Sequence, residues 1–233
     1  MGAMAEGVPA GKSGESVGEL SAAARIQILS TEHWSLLATR SLSWQESFSR
    51  TAMFLSTLTG AVVALALVGQ AMPGQGFVVF ALLLLPVVLF LGIATYARLI
   101  AINLEDALWV VGMNRLRHAY MELAPELEQY FISGVNDDVE GVMKTFGATQ
   151  GRGLGVFLHG FVTTPGMIGV VDAVIAGVLA GVITGIAGAA LIGSIAMGAI
   201  AFVVTLALLM TYQFRSYMRA TSRVAPRFPR PQP

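Results

Sequence analysis

The sequence predicts an all-α integral membrane protein with four transmembrane helices in two hairpins, both termini in the cytoplasm, and helical cytoplasmic extensions. Of its 233 residues, 55% are hydrophobic and only 12% are charged, whereas soluble domains carry about 25% charged residues. Four apolar runs are long enough to cross a hydrocarbon core of about 30 Å. All 14 Lys and Arg residues lie outside these runs, and the positive-inside rule then places the basic segments in the cytoplasm.

The N-terminal region divides into two parts. Residues 1–16 are rich in Gly, Ala and Ser and are predicted to be disordered. Residues 17–50 are predicted to form amphipathic cytoplasmic or interfacial helices, with Ser30 and Thr31 capping a helix that begins at Glu32. This segment is expected to lie along the membrane surface or to pack on another cytoplasmic helix; a partner-binding or gating helix is the alternative.

Residues 51–103 form the first predicted hairpin. A helix over 52–68, a Pro/Gly turn over 71–76 and a helix over 77–97 follow in order. Pro86 lies inside the second helix and is expected to kink it. Beyond Arg98 the pattern predicts the same helix running on into the cytoplasm.

Residues 104–164 are predicted to be a cytoplasmic helical connector. Pro125 suits a first helical turn, Asp137 and Glu140 have the spacing of a capping box, and Gly147 suits the end of that helix. The stretch GRGLGVFLHG lacks the residues of a phosphate loop and is predicted to be a flexible hinge.

Residues 165–214 form the second predicted hairpin, with helices over 166–186 and 191–214 and almost no loop between them. The basic, Pro-rich tail over 215–233 continues the last helix and then becomes unstructured. Three of its arginines are spaced to form one stripe facing anionic lipid headgroups: Arg215, Arg219 and Arg223.

Small residues recur every four positions along the third predicted span and share one face of the helix: Gly169, Ala173, Gly177, Gly181 and Gly185. This spacing lets two helix backbones approach closely. Three interpretations stay open: packing on the fourth span within one subunit, a seam between subunits, and a groove lined by bare backbone.

Asp172 is the only acidic residue predicted to lie below the headgroups, about 9 Å along the third span. A charge at that depth is costly and requires a partner or water. Arg98 and Arg215 lie at predicted inner helix ends and are the expected ion-pair partners. A neutral, hydrogen-bonded carboxyl and a functional carboxyl for protons or cations are the alternatives.

The sequence gives no sign of catalysis or cofactor binding. There are no cysteines, which excludes disulfides and thiolate metal sites. His33, His118 and His159 match no helical metal-ligand spacing, and no catalytic triad or HExxH motif is present. We therefore expect no catalytic residues, no cofactor, no metal and no enzymatic activity.

The run EHWSLLATRSLSW ahead of the first hairpin, with a long cytoplasmic extension after the second helix, resembles bacterial multi-pass membrane proteins to which no activity is assigned. The run from Ser49 to Ala52 is similar to one that enters the first helix of the Orai calcium channels, which also have four membrane helices and cytoplasmic termini. That family's selectivity depends on a glutamate in the outer part of this helix, whereas GAVVALALVG has no acid. The likeness therefore implies topology only.

Together these patterns favour a non-catalytic, self-associating multi-pass protein of the plasma membrane with a scaffold, sensor or accessory role. The alternative is an oligomeric ion channel or small transporter with Asp172 near its path. The expected partners are the lipid bilayer, further copies of the chain and a cytoplasmic protein. A formal net charge of zero argues against nucleic acid.

Overall fold

The computed structural model describes residues 20–147, 163–221 and 225–230. All regular structure in these ranges is helical, and the elements in chain order are α1 Ala22–Ala71, α2 Gln75–Leu123, a 3₁₀ helix Pro125–Tyr130, α3 Val139–Thr145, α4 Thr164–Ile186 and α5 Leu191–Thr221. Four of them, α1, α2, α4 and α5, are long and apolar enough to cross a membrane. The all-α class and the four candidate spans are therefore confirmed.

Helix α1 corrects the prediction for the N-terminal region. It runs without interruption for 50 residues from Ala22, and the hydroxyl of Ser21 caps it by accepting from the Ala24 N–H. The hydroxyls of Ser30 and Thr31 bond to the Gln27 carbonyl within the helix, so the cap predicted before Glu32 is wrong. Serine and threonine can satisfy backbone groups either as caps or from inside a helix, and the sequence pattern does not distinguish the two.

Helix α2 passes through Pro86 and continues to Leu123, so the predicted continuation of the same helix beyond Arg98 is confirmed, while its cytoplasmic location stays a prediction. The turn that joins α1 to α2 depends on Gly74, whose φ of +85° favours glycine. Gly188 has a φ of +89° in the short turn between α4 and α5, where the sequence predicts almost no loop.

The connector contains the two short helices that its sequence signals predict. Pro125 lies in the first turn of the 3₁₀ helix, and Gly147 follows α3 with a φ of +67°. The predicted capping residue is wrong by one position, because Asp138 rather than Asp137 accepts from the Gly141 N–H at 2.7 Å.

Helix α2 is the central element, since it packs against both α1 and α4, while α4 also packs along α5. Residue numbers rise along α1 as those of its contacts fall along α2, so the two helices run in opposite directions. The apolar core lies between them and α4, and it includes Phe54, Leu85, Val88, Tyr96, Leu99 and Ile175. We call the end with residues 72–74 and 187–190 the turn end, and the opposite end the charged end.

Four predictions fall outside the described residues. They are the disordered segment over 1–16, the hinge in GRGLGVFLHG, the position of Arg223 and the end of the tail beyond residue 230.

Candidate functional site

Asp172 lies in the apolar part of α4, against α2. Its relative exposure is 0%. A Cβ built on Gly92 would come within 1.7 Å of Asp172 Oδ1 and 2.9 Å of Phe54 Cε2. The carboxyl therefore lies in a space that exists only because position 92 of α2 has no side chain.

The carboxyl of Asp172 has no hydrogen-bond partner on either oxygen among the described residues. The predicted ion pairs are wrong. Arg98 binds Glu46 and Glu105 instead, and Arg215 is exposed on α5. Pairing at the charged end is favoured because Glu46 and Glu105 bind Arg98 there while staying in contact with water. Pairing with Asp172 would require burying the charge of the Arg98 guanidinium.

A polar contact between helices lies one turn from Gly92, at Tyr96. The Tyr96 hydroxyl donates to the Leu209 carbonyl at 2.7 Å, and its oxygen lies 3.1 Å from Oε1 of the buried Gln213. Gly169 lies against the Tyr96 ring, since a Cβ at that glycine would come within 2.9 Å of Tyr96 Cε2. Tyr96 therefore links α2, α4 and α5 in the layer between Asp172 and the charged end.

A cavity of about 240 Å³ lies at the charged end, beside the first turn of α4. Its lining is mixed polar and apolar, and comprises Trp44, Ser47, Ile102, Asn103, Asp106, Thr163, Thr164 and Pro165. Pro165 is seven residues from Asp172, about 10 Å along a helix. The Tyr96 layer lies between the cavity and the carboxyl.

An ionic layer joins α1 to α2 at the charged end. Arg98 donates to both oxygens of Glu46 at 2.9 Å and to Glu105 at 2.9 Å. Arg50 adds a second pair to Glu46 at 2.7 Å. Hydrogen bonds from Arg98 and then Arg50 lower the pKa of Glu46 to about 2. Charge is therefore balanced here by pairs within the chain.

A second ion pair links the same helices farther from the apolar region. Arg40 donates to Asp106 at 2.7 and 3.3 Å, and Asp106 is buried. The guanidinium also lies 5.4 Å from the centre of the Phe146 ring. The first part of α1 is thus attached to α2 and to the connector, which agrees with the expectation that it packs on another helix.

The face of small residues on α4 is divided between two neighbours. A Cβ at Gly177 would come within 2.8 Å of the Gly198 carbonyl oxygen, and one at Gly181 would come within 3.3 Å of the Ser194 carbonyl oxygen. A Cβ at Gly185 would lie 3.4 Å from the Ser194 hydroxyl oxygen. Ala173 is fully buried. The part of this face nearer the turn end packs against α5, while Gly169 packs against Tyr96 of α2.

The arginines of the tail have two different surroundings. Arg215 and Arg219 are exposed near the end of α5. Arg227 and Arg230, farther along the tail, contact the connector through their backbone N–H groups. Residues 215–221 of the tail continue α5. Residues 225–230 are non-helical but are docked on the chain, so the predicted lack of structure is wrong for these residues.

Sequence reasoning missed several polar residues of the apolar region and of the connector. Gln213 was the available signal for the Tyr96 contact, because a buried amide near a membrane face requires a partner. The role of Asp137 in binding the tail was missed, because its sequence position fits a helix cap. The described residues contain no group of three His, Cys, Asp or Glu side chains that could hold a metal ion.

Comparison with known proteins gives no match to a family model, to a curated protein or to a solved structure.

Proposed function

We propose that this chain is a non-catalytic, self-associating multi-pass membrane protein with a scaffold, sensor or accessory role in the plasma membrane. Its four apolar helices would cross the bilayer as two hairpins, with both termini and the connector in the cytoplasm. The distribution of charge supports this orientation, because residues 72–74 and 187–190 carry none and the basic residues lie toward the charged end.

The observation that carries the proposal is an exposed apolar face on the first half of α1. At about 100° per residue, Ile26, Trp34, Leu37, Trp44 and Phe48 fall within about 80° of one another around the helix. Trp34 is 71% exposed and Phe48 is 60% exposed. Isolated surface apolar residues need no explanation, but a continuous face of this size marks an interaction site.

Lipid does not account for the whole of this face. The ionic layer at Glu46 marks the edge of the apolar region, and Leu37 and Trp34 lie about 14 and 18 Å beyond it along the helix. Side chains that far from hydrocarbon need a protein surface to cover them.

We assign the covering surface to a second copy of the chain. Leu37 and Trp44 are seven residues apart, as are Phe48, Leu55 and Val62, and all five are exposed. A repeat of seven keeps apolar residues along one seam between paired helices. In a symmetric dimer both copies use the same face, so this one apolar face on α1 is enough to form the interface.

Cysteine cross-linking in native membranes tests this proposal, since the chain has no cysteine of its own. Leu37→Cys is expected to give a covalent dimer on mild oxidation. Ser35→Cys is the matched control, because Ser35 is exposed on a different face of α1. Equal cross-linking of the two variants, or none at Leu37, would refute the α1 interface.

A second candidate function is favoured by the buried carboxyl of Asp172. An ionisable side chain at membrane depth without a partner is costly and is retained where it serves transport or proton transfer. The cavity at the charged end would then be the inner vestibule, and Tyr96 would separate it from the carboxyl. This assignment makes the protein a proton or cation carrier.

Flux into liposomes discriminates the two candidates. Asp172→Asn keeps the size of the side chain and removes its charge, and a carrier should lose proton- or cation-dependent flux while keeping the mass of the assembly. Thr57→Val is a suitable control, because Thr57 is exposed on α1 and bonds only to the Met53 carbonyl. Absence of flux in the parent protein would exclude the carrier and leave the scaffold proposal intact.

A further inference from the structure

Residues 225–230 of the tail lie against α2 and the connector in the manner of a bound peptide. Asp137 accepts from two successive backbone N–H groups, those of Arg227 and Phe228, at 2.8 Å each. Asp138 accepts from the Arg230 N–H at 3.0 Å. The Asn136 amide donates to the Phe228 carbonyl at 3.2 Å. These contacts are to the main chain of the tail.

Two tail side chains contribute further contacts. The Phe228 ring stacks on His118 with centroids 4.3 Å apart, and the Arg230 guanidinium pairs with Glu140. Phe228 and Arg230 are half-buried, whereas Arg227 and the intervening Pro229 are exposed. Alternate side chains therefore face the site, as in an extended peptide that adds to a surface.

The surface that receives the tail is held in place by the rest of the chain. The Asn114 amide donates to the Asn136 carbonyl at 2.8 Å. Its oxygen accepts from Arg117 and from Thr145, both at 2.8 Å. These bonds join α2 to Asn136 and to α3 without using a tail residue, so this part of the receiving surface is held independently of the tail.

Asp137 is the centre of the site. Its side chain is 0% exposed, and Arg115 donates to it at 2.7 Å. Burial alone would raise the pKa of Asp137, but hydrogen bonds from the backbone of Arg227, the side chain of Arg115 and the backbone of Phe228 outweigh burial and lower it. With the tail in place, the Asp137 carboxylate is shielded from water and has three partners, Arg115 and the two tail N–H groups. A competing occupant must therefore also supply N–H groups to match this site.

The positions of proline in the tail fit this pattern of donors. The site uses the N–H groups of residues 227, 228 and 230. Pro226 and Pro229, which have no N–H, occupy positions whose backbone nitrogen makes no hydrogen bond to the site. Proline also restricts the unbound chain and so lowers the entropy lost on binding.

We propose that residues 114–118 and 134–140 form a peptide-recognition site for a short Arg-Phe-Pro-Arg segment, and that the chain's own residues 225–230 occupy it as a detachable ligand. A peptide of the same chemistry competes with the tail for the site. Displacement would release the attachment of the chain after α5 to the connector, because Ala225 follows the last residue of α5, Thr221, by four positions.

Binding of a labelled synthetic peptide of residues 224–233 to the full-length protein tests the proposal. The tail is weakened in place by Phe228→Ser with Arg230→Glu, which leaves the receiving surface unchanged. This variant should bind the peptide saturably. A tethered segment competes at about millimolar effective concentration, so the wild-type protein should bind the peptide at least about tenfold more weakly.

Changes made in the peptide alone leave folding of the protein untouched. An Arg227→Pro peptide lacks one N–H that Asp137 accepts and should lose at least about tenfold in affinity. The Pro229→Ala peptide is the control and should bind within a few-fold of the native peptide. Equal affinity of the Arg227→Pro and native peptides would overturn the proposal, as would equal peptide binding by the wild-type and tail-weakened proteins.

A charge exchange at the exposed Glu140 gives a second, independent variant. Glu140→Arg protein should prefer a peptide carrying Arg230→Glu over the native peptide, reversing the order of affinities. If the Glu140→Arg protein kept the native order of affinities, the assignment of residues 134–140 to the site would be contradicted.

Discussion

Replacing Gly92 with alanine would place a methyl group where the Asp172 carboxyl now lies. The added Cβ would come within 1.7 Å of Oδ1 and 2.7 Å of the carboxyl carbon. Because Asp172 is fully buried, it has no open space to move into. Overpacking of this kind costs about 1–3 kcal/mol, set against a gain of up to about 1 kcal/mol from the higher helix propensity of alanine.

Gly60→Ala is the matched control, because a Cβ at Gly60 has no heavy atom within 4 Å. It carries the same propensity gain without the clash, so Gly92→Ala should be less stable than Gly60→Ala by about 1–3 kcal/mol. Unfolding free energies measured by denaturant titration in mixed detergent micelles give this difference directly.

A third variant isolates the contact itself. In the Asp172→Ala background both carboxyl oxygens are gone, and the cost of Gly92→Ala should fall by more than half, leaving only the contact with Phe54. Equal stability of Gly92→Ala and Gly60→Ala, or a cost unchanged when Asp172 is removed, would refute the position assigned to the carboxyl.

Two further predictions concern α4 and the tail. Gly177→Ala should destabilise more than Gly185→Ala, by about 1–2 kcal/mol, since its Cβ would meet the fixed Gly198 carbonyl at 2.8 Å rather than the movable Ser194 hydroxyl at 3.4 Å. Thermal unfolding of the two variants checks this, and an equal loss would contradict it. The pKa of Asp137 is held below its usual 3.8. The contribution of its carboxylate to binding of the tail is therefore complete above pH 3.8 and is lost as pH falls below that value. Fluorescence anisotropy of a dye at the C-terminus should therefore stay constant from pH 7 to pH 5 and drop below about pH 4. Release of the tail above pH 5 would contradict this role of Asp137.

The spans were predictable because they depend on composition over long windows. No charge falls between residues 51 and 97 or between 173 and 214, and such runs need to bury all their backbone hydrogen bonds, which a helix does. Helix ends at Gly74, Gly147 and Gly188 were predictable for a similarly local reason, since each has a positive φ that favours glycine.

The partners of polar residues were not predictable, because they depend on contacts distant in sequence. From its predicted position at the inner end of the second span, Arg98 is equally able to bind Asp172, Glu46 or Glu105. The packing of α1 on α2 decides among them. Asp137 has the capping-box spacing to Glu140, and Asp138 is equally favourable as an N-cap residue type. Only the approach of residues 227 and 228 from the tail, 90 positions or more away, gives Asp137 its different role.

The unbroken length of α1 has a mechanical consequence. Residues 22–50 form a stiff rod of about 43 Å beyond the start of the predicted span, with no flexible joint between the rod and the span. A tilt of about 5° at the apolar end would move the far tip by about 4 Å, roughly the rise of two to three helical residues. In the proposed membrane orientation, a change in bilayer thickness or lateral tension that tilts the span would move the N-terminal end of α1 by this larger distance.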